Sequence, residues 1–145
     1  MTIDFKNAAN RHYQDAEYLY SLQRWANADQ LYGLSSECLL KVMIASLDSS
    51  SINLSTGDFN TKVHRKHLEY NNADKDLWNH FSLNFSGRIA AHFSLASPNP
   101  FADWDIFQRY HHERFFDKTR IDAHRNATQN LQNKVQELFI NGVLT

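Results

Sequence analysis

Residues 5–47 read FKNAANRHYQDAEYLYSLQRWANADQLYGLSSECLLKVMIASL, and this stretch decides the fold. Apolar and small side chains recur in it at steps of three and four residues, the period of a helix with one buried face. The pattern predicts one helix over about 2–25 and a second over 28–47, where Asn27 and Gln30 have the spacing of a capping box. The short link between them predicts an antiparallel helical hairpin.

The rest of the chain also favours helices, because only two prolines and four glycines occur in 145 residues. Residues 48–60 are a polar, serine-rich loop, which we expect to be the most mobile segment. Two further helices are predicted over 62–69 and 73–95, and the second must end before the two prolines of Ser97–Pro100. A last helix is expected from Thr119 to near Asn141.

The sequence therefore predicts one all-α domain over residues 1–145, an up-down bundle of about five helices. It leaves open whether residues 101–116 form a helix or an extended segment. It also leaves open the role of Gly33 inside the second helix, where glycine costs about 1 kcal/mol relative to alanine. That glycine either allows another helix to approach closely or is a tolerated defect.

Composition excludes several classes of protein. The formal net charge is −1, so any contact with nucleic acid needs a local basic patch. The single cysteine excludes an internal disulfide and a multi-cysteine zinc site. No apolar run approaches the ~20 residues of a membrane helix, and residues 1–10 lack the pattern of a signal peptide. We expect a cytoplasmic protein that does not contact membranes.

Most familiar catalytic motifs are missing. The eight histidines include no HExxH pair, and the glycines are too scattered to form a phosphate-binding loop. We therefore expect neither a metal nor a cofactor. Cys38 lies within the apolar stripe of the second helix, where a structural thiol is a better interpretation than a nucleophile.

Two arginine–histidine pairs have helical i, i+4 spacing, Arg88 with His92 and Arg120 with His124. Histidine exchanges protons near neutral pH and arginine binds phosphate, so such a pair could cleave RNA without a metal. The alternative for Arg88 and His92 is structural, with an interfacial arginine and a packed or capping histidine. Residue types alone favour that alternative.

The densest polar and aromatic cluster is RYHHER, residues 109–114. Arginine beside tyrosine could hold a phosphate and stack a base. Alternatively, Tyr110 anchors the segment on the bundle while Arg109 pairs with a nearby carboxylate.

Several segments together resemble HEPN domains (higher eukaryotes and prokaryotes nucleotide-binding). The opening hairpin leads to a glutamate–apolar–apolar–lysine element, for which Glu37 and Lys41 are the charged positions. The segment KVHRKHL at 62–68 resembles the family's K-x-H-x-x-x-L segment, and Trp104 before Arg109-Tyr110 resembles its W-x-x-x-x-R-Y element. The resemblance spans about residues 5–139.

The resemblance implies a helical bundle that forms a homodimer. Many HEPN proteins are partners of small nucleotidyltransferases in toxin–antitoxin modules, and others are metal-independent endoribonucleases. The nucleases carry arginine and histidine with four to six residues between them, whereas Arg88 and His92 have three.

Three hypotheses follow. The first is a non-catalytic domain that binds a nucleotide, RNA or a protein partner, such as a nucleotidyltransferase or another defence protein. Its candidate ligand contacts are Lys62, His64, His67, Arg109 and Tyr110. The second is an endoribonuclease in which His92 transfers protons and Arg88 holds the phosphate. The third is a purely structural accessory subunit.

Overall fold

The structure is a computed structural model that describes residues 1–68 and 76–145. It confirms the all-α prediction, because within these two ranges there are helices and isolated bridges but no strand. Its α-helices are, in chain order, α1 (Phe5–Ser21), α2 (Trp25–Leu47), α3 (Leu77–Asn84), α4 (Ser86–Ile89) and α5 (Lys118–Ile140). No helix in the described ranges is long and apolar enough to cross a membrane.

Helices α1 and α2 form the predicted hairpin, with Leu22–Arg24 as the link. The chain reverses at Gln23, whose φ of 59° lies in the left-handed region. The two helices approach closely because α1 presents Ala9 and Ala16, both fully buried, toward α2. The Ser35 hydroxyl donates a hydrogen bond to the Ala9 carbonyl at 2.8 Å, which fixes the register of the hairpin.

Helix α2 begins at Trp25, about one turn before the predicted start. The capping box predicted at Asn27 and Gln30 is therefore wrong, since both residues lie inside the helix. Arg24 occupies the N-cap position, but its side chain makes no capping hydrogen bond. The earlier start allows the Trp25 ring to pack edge-on against Tyr20 of α1, with centroids 5.2 Å apart.

Helix α5 packs along α2, the central helix of the bundle. Ser36 donates to the Thr128 hydroxyl at 2.9 Å, and that hydroxyl lies 3.1 Å from the Tyr32 carbonyl oxygen. The α5 boundaries agree closely with the prediction. Asp117 caps its start by accepting from the Arg120 amide at 2.9 Å.

The region between α2 and α5 departs most from the prediction. The helix predicted over 62–69 is wrong, because only a 3₁₀ turn forms at Lys62–His64; Glu69 itself lies outside the described residues. The long helix predicted over 73–95 is also wrong. Its first three residues lie outside the described ranges, and the helix is interrupted at Phe85 and ends at Ile89.

A tertiary contact explains where that helix stops. The Trp78 indole N–H donates to the Ala96 carbonyl at 3.1 Å, so the chain must turn back along α3 after α4. A continuous helix would carry Ala96 about 27 Å away from Trp78, at 1.5 Å per residue. The returning segment leaves a groove of about 940 Å³ against α5.

Residues 48–60, which we expected to be mobile, form a folded loop that packs on the bundle. Ile52 and Phe59 form an isolated bridge within the loop, and the buried Phe59 ring stacks on Phe5 of α1, with centroids 5.3 Å apart. The Ile3 amide donates to the Thr56 carbonyl at 2.7 Å. The loop thus covers one end of the main core, whose largest fully buried side chains include Leu40, Met43, Ile44, Leu77, Phe81, Phe101 and Trp104.

Candidate functional site

Residues 105–116, called the strap below, connect the core to α5 without forming an α-helix. They contain 3₁₀ turns at Ile106–Tyr110 and Glu113–Phe115. Asp105 begins the first turn, because its carboxylate accepts from the Phe107 amide at 2.6 Å. The Gln108 side chain accepts in return from the Asp105 amide at 3.3 Å, which completes a capping box.

The strap is anchored next to a buried tryptophan. Trp104 lies fully inside the core, and its indole N–H donates to the Asp29 carbonyl at 3.1 Å. Its ring covers Gly33 so closely that a Cβ at this position would lie 1.9 Å from Trp104 Cε2. Gly33 therefore allows a close approach to α2, and the group that approaches is an indole ring rather than another helix.

A buried charged network joins the strap to α2 and α5. His124 lies between two carboxylates, with Nδ1 2.6 Å from Asp29 Oδ1 and Nε2 2.8 Å from Asp103 Oδ1. The Gln108 side chain donates to Asp29 Oδ2 at 2.7 Å. Arg120 adds an ion pair with Asp103 at 3.2 Å and approaches Asp29 Oδ2 at 3.6 Å.

The network favours a charged imidazole. Asp29 and His124 are only 0 % and 1 % exposed, and burial alone would lower the pKa of His124. The hydrogen bonds and charges of Asp103 and Asp29 outweigh burial and raise that pKa to about 9. The hydrogen bond from His124 is also the main reason that the pKa of Asp103 is lowered. His124 is thus an imidazolium that donates to both carboxylates at neutral pH.

The Arg120–His124 pair therefore has a structural role. The two side chains share one face of α5, as their spacing predicts, but both are directed into this network. The Phe101 ring stacks on the His124 imidazole, with centroids 5.2 Å apart and planes 20° apart. No nitrogen of His124 remains for proton transfer to a substrate.

Three aromatic rings of the strap are exposed to solvent. Phe107, Tyr110 and Phe115 are 57 %, 73 % and 60 % exposed. The Arg109 guanidinium lies over the Tyr110 ring, 4.8 Å from its centroid, and Arg114 lies over the Phe115 ring at 4.9 Å. Tyr110 is therefore not an anchor, and Arg109 contacts a ring rather than a carboxylate.

A cavity of about 380 Å³ adjoins the strap at the link between α1 and α2. Two arginines border it, Arg24 of the link and Arg109 of the strap. The other lining residues are Gln23, Trp25, Ala26, Asn27, Gln108, His111 and Glu113. Sequence reasoning selected Arg109 but missed Arg24 and Trp25, which carry no signal beyond their residue types.

The remaining predicted ligand contacts lie elsewhere. His67 contacts Glu37 of α2, with Nδ1 2.9 Å from Oε2, whereas the cavity borders the first turn of α2. Twelve residues separate Trp25 from Glu37, which is about 18 Å along the helix. The five candidate contacts therefore form two groups, with Arg109 and Tyr110 on the strap and the other three near residues 62–67.

The second group is itself largely engaged in contacts within the protein. His64 Nδ1 lies 3.0 Å from His80 Nε2, while Lys62 is exposed. Glu37 also pairs with Lys41 at 2.7 Å, and both side chains are buried rather than solvated. Burial would raise the pKa of Glu37, but the hydrogen bond from His67 and the charge of Lys41 outweigh it and lower that pKa.

Arg88 and His92 do not share a helix face. Helix α4 ends at Ile89, so the i, i+4 argument does not apply to them. Arg88 donates to the Leu47 carbonyl at 3.1 Å and covers the Phe85 ring, whereas His92 borders the groove against α5.

Comparison of the chain with protein-family models, with curated proteins and with solved structures gives no match. In the described part of the chain, no three His, Cys, Asp or Glu side chains are placed to hold a metal ion.

Cys38 should be an unreactive thiol in the folded protein. Burial raises its pKa to about 11 from an ordinary value of 9.0, so its thiolate population falls about 100-fold. We expect the native protein to react with a disulfide reagent at pH 7 about 100-fold more slowly than the protein unfolded in guanidinium. Reaction at equal rates would show that Cys38 is accessible and activated.

Proposed function

We propose that the strap binds single-stranded RNA and that the protein is a non-catalytic RNA-binding domain. The observation that carries this proposal is the exposure of three rings within the strap, Phe107, Tyr110 and Phe115, two of them covered by an arginine. Single exposed apolar side chains are normal on a protein surface, but three exposed aromatic rings within nine residues are typical of an interaction site.

RNA fits this surface better than other ligands of the same size. Every base has a flat π-face, and stacking on an aromatic side chain contributes about 1–3 kcal/mol per base. The guanidinium groups of Arg109 and Arg114 lie over one face of the Tyr110 and Phe115 rings. Each arginine is thus close enough to a stacked base to bind the phosphate next to it. A repeated ring–cation arrangement matches the repeated base–phosphate arrangement of a strand.

The anchor of the strap favours binding by a preformed surface. Gln108 and Trp104 attach the strap to Asp29, so the exposed rings project from a segment held at several points. A surface ordered before binding loses less conformational entropy when the ligand arrives. The three rings therefore need little rearrangement to accept bases.

Binding should depend only modestly on salt. The net charge of the chain is −1, so no large positive field attracts the nucleic acid. Two arginines on the strap predict a slope of log K against log salt of about −1.4, at about −0.7 per phosphate contact on a single strand.

The HEPN resemblance, the homodimer, and the toxin–antitoxin or defence context with a nucleotidyltransferase partner stay predictions. The RNA-binding proposal requires none of them. The departure of Arg88 and His92 from helical geometry gives the nuclease alternative no specific support.

Substitution of the rings tests the proposal. Tyr110→Ala and Phe115→Ala should each weaken the binding of a fluorescent single-stranded RNA by about 5- to 160-fold in an anisotropy titration, because each removes one stacking platform. Tyr18→Ala is the matched control, since it removes an exposed tyrosine of α1 outside the strap and should leave affinity unchanged.

All three variants should keep the thermal stability of the parent, because the rings are exposed. Equal RNA affinity for the parent and both strap variants would refute the strap as the binding surface. The absence of any measurable RNA binding by the parent protein would refute the proposed function itself.

A further inference from the structure

The cavity beside the strap has a charge pattern that the stacking surface does not explain. Arg24 and Arg109 both belong to its lining, the first from the α1–α2 link and the second from the strap. Within the described residues, neither guanidinium lies within ion-pair distance of a carboxylate. Arginines that share a concave site without acidic partners favour an anion.

The remaining lining is polar and supports the same ligand class. His111 supplies an imidazole, and Gln23 and Asn27 supply side-chain amides. Glu113 is the one acidic residue of the lining, so the two guanidiniums leave a net charge of +1. Arginine is well suited to phosphate, because its planar fork donates two parallel hydrogen bonds.

The cavity is small and lies directly beside the stacking surface. Its volume of about 380 Å³ lies near the lower end of the range for small-molecule sites, about 300–1,000 Å³. Arg109 belongs to both places, since it borders the cavity and covers the Tyr110 ring. A base stacked at Tyr110 would therefore place its own phosphate next to the cavity.

We propose that this cavity receives the terminal phosphate monoester of a bound RNA strand, so that the protein prefers phosphorylated ends. The inference rests on the proposed function, because the strap brings the strand to the cavity. A terminal phosphate carries about −1.5 to −2 charges, more than the −1 of an internal diester, and its free oxygens can contact both guanidiniums. An internal phosphate has chain on both sides and keeps only two unbridged oxygens, one fewer than a terminal monoester.

Three RNA oligomers of one sequence test this inference, with a 5′-phosphate, a 3′-phosphate or hydroxyl groups at both ends. We expect one phosphorylated form to bind at least about tenfold more tightly than the hydroxyl form, since hydrogen bonds to charged groups contribute about 1.5–3 kcal/mol. The end that gains affinity identifies the polarity of the strand on the strap.

Three variants connect the preference to the cavity. Arg24→Ala should abolish most of the preference while hydroxyl-ended RNA keeps its affinity within about twofold. Glu113→Gln should increase the preference, because it removes the negative charge from the lining. Arg11→Ala removes an exposed charge of α1 outside the cavity and should change neither quantity.

The outcomes separate the two proposals. Equal binding of all three oligomers, with loss in Tyr110→Ala, would leave the RNA-binding surface standing and overturn the phosphate site. If no oligomer binds, the proposed function fails. Calorimetric titrations with AMP and with adenosine then test whether the cavity binds a phosphate monoester. AMP binding that is lost in Arg24→Ala would support the site, and equal failure of AMP and adenosine would overturn it.

Discussion

Gly33→Ala is expected to lower the free energy of unfolding by about 2 kcal/mol, although alanine is the better helix former. The added Cβ would lie 1.9 Å from Trp104 Cε2 and 2.1 Å from Nε1, so the ring must move. Overpacking of this kind typically costs about 1–3 kcal/mol and sometimes more, while the gain in helix propensity is about 1 kcal/mol. Because Trp104 precedes the strap, the displacement should also weaken RNA binding. Urea unfolding and the anisotropy titration measure the two effects.

Gly87→Ala is the matched control for this prediction. Gly87 also lies in a helix, α4, but nothing lies within 4 Å of the Cβ that alanine would add there. This variant should be as stable as the parent or more stable by up to about 1 kcal/mol. If Gly33→Ala were equally well tolerated, the close approach of Trp104 to α2 would be disproved.

The fold could be predicted where local periodicity and tertiary packing agree. Helices α1, α2 and α5 carry long stripes with one buried face, and their predicted bounds lie within a few residues of the observed ones. Periodicity failed between α3 and the prolines, because Phe81, Phe85 and Ile89 continue a helical pattern through a break. The contact that ends the helix joins Trp78 to Ala96, and a pairing over that sequence separation leaves no local signal.

The candidate site was predicted only where its features are local in the sequence. Residue types alone selected Arg109 and Tyr110, since arginine beside an exposed aromatic ring is a local feature of the strap. The anchor was missed because its parts come from three distant regions, Asp29 on α2, Asp103 and Gln108 near the strap, and His124 on α5. Spacing identified Arg120 with His124 as a pair, but only the fold shows which carboxylates they face.

Asp29 connects those distant regions through direct hydrogen bonds. It is the most buried charge of the network, and its two carboxylate oxygens bind different partners, His124 from α5 and Gln108 from the strap. Its backbone carbonyl accepts from Trp104 as well. The charge of His124 therefore stabilises the same junction that holds the exposed rings of the strap in place.

We expect this junction to make the stability of the protein fall at alkaline pH. His124 has a pKa of about 9 in the folded protein, above its ordinary value of 6.5. A raised pKa stabilises the fold fully below pH 6.5, and that contribution is lost as the pH rises through 9. A difference of about 2.5 units corresponds to about 3 kcal/mol, at 1.36 kcal/mol per unit. Urea unfolding at pH 6 and pH 9.5 should show this loss.

Two histidine variants assign the loss to its source. His124→Gln cannot take up the proton, so it should be less stable than the parent at pH 6 and should lose little further stability by pH 9.5. His92→Gln changes an exposed histidine with no part in the network and should keep the full pH dependence of the parent. If the free energy of unfolding of the parent is the same at pH 6 and pH 9.5, the pKa of His124 is not raised. The strap is then held in place without a charge on His124. A pH dependence that survives in His124→Gln would assign the effect to another group.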